Sequence, residues 1–356
     1  MHIDHAVVGA GLIGGYLTAH LAELPLDLSL LVVGRAYAQT DFTDNLYLSD
    51  YESAKRTVAS DQVIFKTELK HTTFTPAACV WLTVKCTAMA TIADQITPLI
   101  GPETLIICCQ NGIGSEHNIV QQYPDNVVIR CMFPFNVVRL APGHFHRGSS
   151  GTVMFEHVSV SKPTIGFDAL VTVIEHLARQ SHSTLPIAWC DDMDGLLWAK
   201  CQVNLTNSVN ALANLSLKET LMDRGYRRII ATMMREHLAV CAAQGIVLPK
   251  ITKVSAVLIP SILSLPNWLF PYIAKSMVAI DPHAKLSMWW DIEHGRPTEI
   301  DYINGATIRA GKLHHIDTPM NNRVYNAIKS LELAEQRYAV DADLLATDAS
   351  DFAAGS

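Results

Sequence analysis

The sequence predicts an α/β fold: an N-terminal doubly wound parallel sheet, residues 1–189, followed by an all-α domain, residues 190–340. Three observations carry this. Short apolar runs recur through the first half with helix-compatible stretches between them, the pattern of strands buried on both faces. A glycine-rich turn sits between the first such run and the first helix. Beyond about residue 190 strand signals give way to long helical stretches, so the chain changes character there.

In order, residues 5–8 (HAVV) read as the first strand and Tyr16 to Leu24 as a helix. Residues 28–33 (LSLLVV) read as the second strand. Further strands are expected at 79–84 (CVWLTV), 104–109 (TLIICC) and 127–133 (VVIRCMF), with a helix over 88–99. His146 to Val160 reads as an added strand pair and residues 185–190 (LPIAWC) as a last strand. From Gly195 to Gln244 and on to about residue 338 the pattern is helical. It breaks near Gly295–Pro297 and in a proline-rich stretch. The acidic tail from Asp341 to Ser356 is expected to be poorly ordered.

Composition excludes several function classes. Apolar residues form 49% of the 356 and the net charge is −7, without any Lys/Arg run, so nucleic acid is not an expected partner. The eight cysteines form no C-x-x-C pair, and the fifteen histidines join no cluster at ligand spacing. Reduced thiols and no metal are therefore expected. No basic segment precedes an apolar one at the start, so a cytoplasmic protein is expected. Val254 to Ala274 carries no charge over a membrane-length stretch, but Pro260, Pro266 and Pro271 would break its hydrogen-bond ladder repeatedly. Two short buried or interface helices are expected there instead of a span, and residues 254–280 are apolar enough to serve a homodimer interface.

The first chemical motif is Gly9-Ala10-Gly11-Leu12-Ile13-Gly14, a G-x-G-x-x-G between strand and helix. This is the context of a Rossmann-type dinucleotide site: glycines allow the tight turn and close approach of a pyrophosphate, and the helix N-terminus offers free N–H groups. The second strand ends in Gly34-Arg35, not in the acid that would read a ribose 2′-hydroxyl. A guanidinium there matches a 2′-phosphate, so NADP (NADPH) is the expected cofactor. Asp41 and Asp44 fall too far along to replace it. Lys85 and Asn111 follow two further strands, where ligands bind in open α/β sheets.

In the helical part, Lys200, Asn204 and Asn207 lie four and three residues apart and share one helix face. Glu299 lies in GRPTEIDYING, where Thr298 and Asp301 have the spacing of a capping box, which would set Glu299 in a first helical turn.

Taken together, these segments make the chain resemble the ketopantoate reductase family. GAGLIGG, the arginine after strand two, TVK, QNGIG, LWAKCQVN and SMWWDIEHGRPTEIDYING occur in the family's order over roughly residues 3–335. The resemblance implies a Rossmann domain and a helical domain with the active site in a cleft between them. It implies reduction of 2-dehydropantoate, a small 2-oxo acid, to pantoate on the route to pantothenate and coenzyme A. Lys200 then matches the catalytic lysine, Asn204 and Ser287 substrate-binding positions, and Glu299 an acid reaching cofactor and lysine. Lys85 and Asn111 match cofactor-side positions. Ser208 stands where many members carry a further substrate asparagine, and Leu286 where a second serine often precedes Ser287. These departures leave open another branched 2-oxo acid as substrate. A non-catalytic NADP(H)-binding sensor is the remaining alternative.

Overall fold

The computed structural model describes residues 1–52, 55–70, 72–158, 164–179, 185–275 and 281–346. The chain divides into two units: Met1–Gln110 with Ser115–Met193, and Asn111–Gly114 with Asp194 onward. The boundary expected between residues 189 and 190 would cut the last strand of the first unit, Ile187–Cys190.

The first unit opens with β1 (His5–Val8), α1 (Leu12–Ala22) and β2 (Leu30–Val33), so the helix starts four residues earlier than its apolar pattern indicates. There follow β3 (Leu46–Asp50), β4 (Arg56–Val58), β5 (Val63–Lys66), β6 (Cys79–Leu82), α2 (Met89–Gln95), β7 (Leu105–Cys108) and α3 (His117–Gln122). The unit ends with β8 (Val128–Met132), β9 (Val137–Ala141), β10 (His144–Arg147), β11 (Val153–Glu156), α4 (Ile165–Arg179) and β12 (Ile187–Cys190). The main sheet runs β12-β11-β8-β7-β6-β1-β2-β5, and its six strands from β8 to β5 pair in parallel.

Alternate residues of these strands feed opposite faces. Val7, Val32, Trp81 and Ile107 join one core with Tyr16 and Leu17 of α1 and Leu170 of α4. Ala6, Val8, Val80 and Ile106 join another with Met89 and Ala93 of α2 and Ile119 of α3. This period-2 division explains the unbroken apolar runs.

Two sequence expectations are corrected here. A second sheet, β4-β3-β10-β9, was not foreseen, and the pair expected within 146–160 does not form. β10 joins β3 and β9, whereas β11 lies between β8 and β12 in the main sheet.

The second unit is helical. It comprises α5 (Met193–Ala213), α6 (Leu217–Met222), α7 (Arg224–Ala243), α8 (Ile259–Leu263), α9 (Phe270–Ile273), α10 (Ser287–Glu293), α11 (Asn304–Leu313), α12 (Pro319–Leu333) and α13 (Ala342–Ala346). Leu205, Val209 and Leu212 of α5 pack with Ile230 and Met233 of α7 and Val324 and Ile328 of α12. Asp223 caps α7 by accepting from the amides of Gly225 and Tyr226.

The proline-rich stretch forms the two short helices α8 and α9. Its anchor is Arg227, fully buried, which donates to the carbonyls of Leu221, Met222, Leu263 and Leu265 and to Asn267 Oδ1, with its guanidinium 4.1 Å from the Phe270 ring centroid. Among the described residues no helix is long and apolar enough to cross a membrane. The tail expected to be poorly ordered from Asp341 begins instead as α13, because Ala342 and Leu345 are buried in the helical core; residues 347–356 lie outside the described residues.

Three fully buried histidines tie stability to pH. Burial lowers His5 to about 4, His20 to about 3 and His237 to about 4. An unfolded chain takes up a proton at each near 6.5, while the folded chain stays neutral until much lower pH. Stability is therefore fully present above 6.5 and declines as pH falls towards 4, by about 1.4 kcal/mol per pH unit per histidine. Urea midpoints are expected to drop steadily from pH 7 to pH 4.5. A flat profile over that range would show that these rings are protonated in the folded protein.

Candidate active site

The glycine turn is built for a close ligand. A Cβ on Gly9 would lie 2.6 Å from the Val84 nitrogen, and one on Gly14 would lie 2.0 Å from the Gly9 carbonyl oxygen. Those two glycines let β1, α1 and the end of β6 converge. Gly11 differs: a Cβ there meets nothing of the protein within 4 Å. Packing gives no reason for glycine at this place, but the need for a pyrophosphate to approach the backbone does. Gly11 is also the N-cap of α1 and no side chain caps that end, which leaves first-turn amides of Leu12, Ile13 and Gly14 for an anion. These residues fit a dinucleotide.

Arg35 follows directly after β2 and is exposed, with no ion pair among the described residues. The close packing of Gly34 on Ala10, where a Cβ would come within 2.3 Å of the Ala10 Cβ, puts the arginine's backbone beside the turn. Asp41 holds Arg139 and the Gly143 amide, so its carboxylate is spent within the second sheet. Lys85 is exposed at the end of β6.

In the helical unit, α5 carries Lys200, Asn204 and Asn207 on one face. Lys200 and Asn204 are half-buried and Asn207 is 8% exposed. Asn207 Nδ2 donates to Ser287 Oγ at 3.5 Å, which brings the first residue of α10 to this face. Ser208 does not join it. It is fully buried and its hydroxyl donates to the Leu205 carbonyl at 2.9 Å, so the expectation that it contacts substrate is corrected. Asn207 is the neighbouring amide that the stripe does present. Leu286 is half-buried, and its amide donates to Asn210 Oδ1 at 3.0 Å.

The loop Asn111–Gly114 belongs with the helices, although its sequence position follows a strand. The Ile113 amide donates to the Tyr302 carbonyl at 2.9 Å, and the Ile113 side chain packs with the Trp198 cluster. Trp198 is two residues before Lys200, and the Cys201 thiol donates to the Ile303 carbonyl at 3.6 Å. One set of contacts therefore gathers the Asn111 loop, the Lys200 turn and the segment following Glu299. His237 fastens the same turn: its Nε2–H donates to the Trp198 carbonyl at 3.0 Å, and its Nδ1 accepts from Thr307 Oγ1 at 2.8 Å.

Glu299 is half-buried, but not through a capping box. It precedes a single 3-10 turn, Ile300–Tyr302, and caps it with no side-chain bond. Thr298 donates both its amide and its hydroxyl to Glu332, while Asp301 accepts from Tyr325 and pairs with Lys329. Thr298 Oγ1 keeps one local bond, accepting from the Ile300 amide at 3.3 Å, but its own donors and the Asp301 carboxylate go to α12, so no capping box closes. Among the described residues no group of three or more His, Cys, Asp or Glu could hold a metal ion.

A doubly wound sheet with an open glycine at an uncapped helix start, and a helical unit with one lysine–amide face, define a two-domain dinucleotide-dependent oxidoreductase. Residues 5–159 match the family described as Ketopantoate reductase PanE/ApbA, and residues 192–332 match Ketopantoate reductase PanE/ApbA C terminal. The 2-dehydropantoate 2-reductase of Mesorhizobium japonicum is 26% identical over 356 residues, covering 94% of this chain and 99% of that protein. That of Caulobacter vibrioides is 25% identical over 328 residues, 92% and 99% of the two. The solved 2-dehydropantoate 2-reductase of Geobacter metallireducens has a TM-score of 0.72 at 20% identity, covering 93% of this chain and 99% of that one. A D-mandelate dehydrogenase with NADH and anilino(oxo)acetate has a TM-score of 0.69 at 21%, covering 93% and 98%. These structural likenesses carry the fold.

The chain belongs to the ketopantoate reductase family. It is an NAD(P)-dependent oxidoreductase of the 2-dehydropantoate 2-reductase type.

Proposed function

We propose that the protein reduces 2-dehydropantoate to pantoate with NADPH, on the route to pantothenate and coenzyme A. The observation that carries this reading is the α5 face, where Lys200, Asn204 and Asn207 stand in line and Asn207 reaches Ser287. One cation among neutral donors suits a small 2-oxo acid: charge for the oxygen that becomes an alkoxide, amides and a hydroxyl for its other groups.

Bound NADPH supplies a hydride to the 2-oxo carbon. Lys200 Nζ donates a hydrogen bond to the ketone oxygen, stabilises the negative charge as it builds there, and gives up the proton that completes the alcohol. Asn204, Asn207 and Ser287 orient the carboxylate and hydroxyl by neutral hydrogen bonds. Glu299 serves the lysine and the cofactor, with Asn111 and Lys85 on the cofactor side. Gly9 to Gly14 take the pyrophosphate and Arg35 the 2′-phosphate.

Arg35→Ala tests the choice of NADPH. Loss of a bidentate guanidinium–phosphate contact costs on the order of 1.5–3 kcal/mol, so the NADPH/NADH preference in kcat/KM should fall at least about tenfold. An unchanged preference would mean that another group reads the phosphate.

The eight cysteines are free in the structure, which suits a reducing cytoplasm. A homodimer is the proposed assembly. It is supported by Leu258, Trp268, Tyr272 and Ile273, all more than half exposed in the proline-rich stretch, and by a solved relative described as a dimeric ketopantoate reductase from Staphylococcus aureus.

A further inference from the structure

We infer that Glu332 on α12 is a positioning residue for Glu299, an assignment that rests on the reductase reading only for the role of Glu299 itself. Glu299 lies outside any regular helix, at φ −91° and ψ 22°, so no intrahelical ladder fixes the direction of its side chain. Its backbone is held from both sides by one face of α12. On the preceding side, Thr298 is buried and sends two bonds to the same Glu332 oxygen, 2.8 Å from its amide and 2.6 Å from its hydroxyl. On the following side, Asp301 accepts from the Tyr325 hydroxyl and lies 2.7 Å from Lys329 Nζ. Lys329 also reaches the other Glu332 oxygen at 3.3 Å, which closes the network.

Tyr325, Lys329 and Glu332 are spaced four and three apart, one stripe of a helix. Glu332 is the pivotal member because, of these three, it is the one bonded to the residue adjoining Glu299, through charge-assisted bonds to two donors that fix the Pro297–Thr298 peptide plane and the Thr298 rotamer. Its side chain is 15% exposed, so water competes little for the carboxylate. With Glu332 removed, the Pro297–Thr298 peptide and the Thr298 rotamer lose their anchor on α12, leaving Thr298 Oγ1 with the Ile300 amide at 3.3 Å, and a Glu299 carboxylate shifted by an ångström loses its alignment with the groups it serves.

The test compares Glu332→Ala, Glu332→Gln, Thr298→Val and the control Glu236→Ala. Glu236 caps the start of the same helix by accepting from the amides of Met320 and Asn321 and from Asn321 Nδ2, and it has no bond to residues 298–301 among the described residues. Glu332→Ala should lower kcat about ten- to a hundredfold, the scale of an ångström misplacement, while Glu236→Ala at a matched loss of Tm keeps kcat within about twofold. Glu332→Gln retains an oxygen that accepts both Thr298 bonds and should recover most of the activity. Thr298→Val, which deletes the hydroxyl's bond to Glu332 and the acceptor of the Ile300 amide but keeps the amide bond to Glu332, should fall between. In the protein with nothing bound, amide exchange over residues 296–303 should speed up in Glu332→Ala and remain near parental in Glu236→Ala.

Unchanged exchange in Glu332→Ala overturns the proposal, as does an equal loss of kcat in the stability-matched control. If Glu332→Ala does not fold, parental kcat and exchange in Thr298→Val overturn it equally. Faster exchange in a protein that turns over no 2-oxo acid supports the positioning and overturns only the reductase reading.

Discussion

Lys200→Ala is expected to lower kcat at least about 10²-fold while the protein folds and binds NADPH as before. The lysine is assigned two tasks in one step, stabilising the alkoxide and delivering its proton, and no other cation stands on the α5 face between Lys200 and Asn207. The substitution leaves the main core packing of α5 in place, since Lys200 is half-buried on the polar stripe and Ala199 and Cys201 beside it fill the core side. Single-turnover rates with 2-dehydropantoate, alongside fluorescence titration of NADPH, measure both halves. Near-parental turnover would remove Lys200 from the chemistry. Loss of NADPH binding would mean that its role is in the cofactor site.

Arg227→Leu is expected to cost on the order of 3–5 kcal/mol of folding stability, the second large effect. Four backbone carbonyls and the Asn267 amide oxygen converge on this one guanidinium, and among the described residues no carboxylate takes part. Leucine fills the volume above Phe270 but leaves buried acceptors unmatched, which is the costly half of deleting a hydrogen bond. Arg227→Lys should lose less, though still measurably, because an ammonium has three donors and no planar fork. Urea denaturation reads both variants. A cost under about 1 kcal/mol for the leucine variant would show that water satisfies these carbonyls and that α8 and α9 are held by packing alone.

What was legible in the sequence had a local physical cause. β1, β2, β6 and β7 announce themselves because strands buried on both faces are rich in apolar residues, β8 and β12 because most of their residues are apolar, and the glycine turn by its spacing. The Lys200–Asn204–Asn207 stripe follows from helical spacing. β3, β4, β5 and β9 are harder to read because they carry half-exposed or exposed residues, as in the wholly half-buried VIFK of β5. Nothing near β10 and β11 in the chain shows that they join different sheets, since β10's partner β3 is about a hundred residues away.

The site residues follow the same division. Ser208 has the spacing of a stripe residue, yet a backbone carbonyl one turn back takes its hydroxyl. Thr298 and Asp301 have the spacing of a capping box, yet α12 supplies stronger partners from some thirty residues on. Asn111 follows a strand, yet its loop is bonded to Tyr302. Each outcome is a competition between a local and a distant partner, and spacing reports only the local one.

Hydride delivery from NADPH to 2-dehydropantoate is read out by NADPH oxidation by the purified protein with that compound and a panel of other 2-oxo acids. The expected result is pantoate formed in equal amount to NADPH consumed, with 2-dehydropantoate giving the highest kcat/KM of the panel and NADPH preferred over NADH. A folded protein that binds NADPH but shows no 2-dehydropantoate-dependent oxidation, or that turns over another 2-oxo acid with higher kcat/KM, would contradict it.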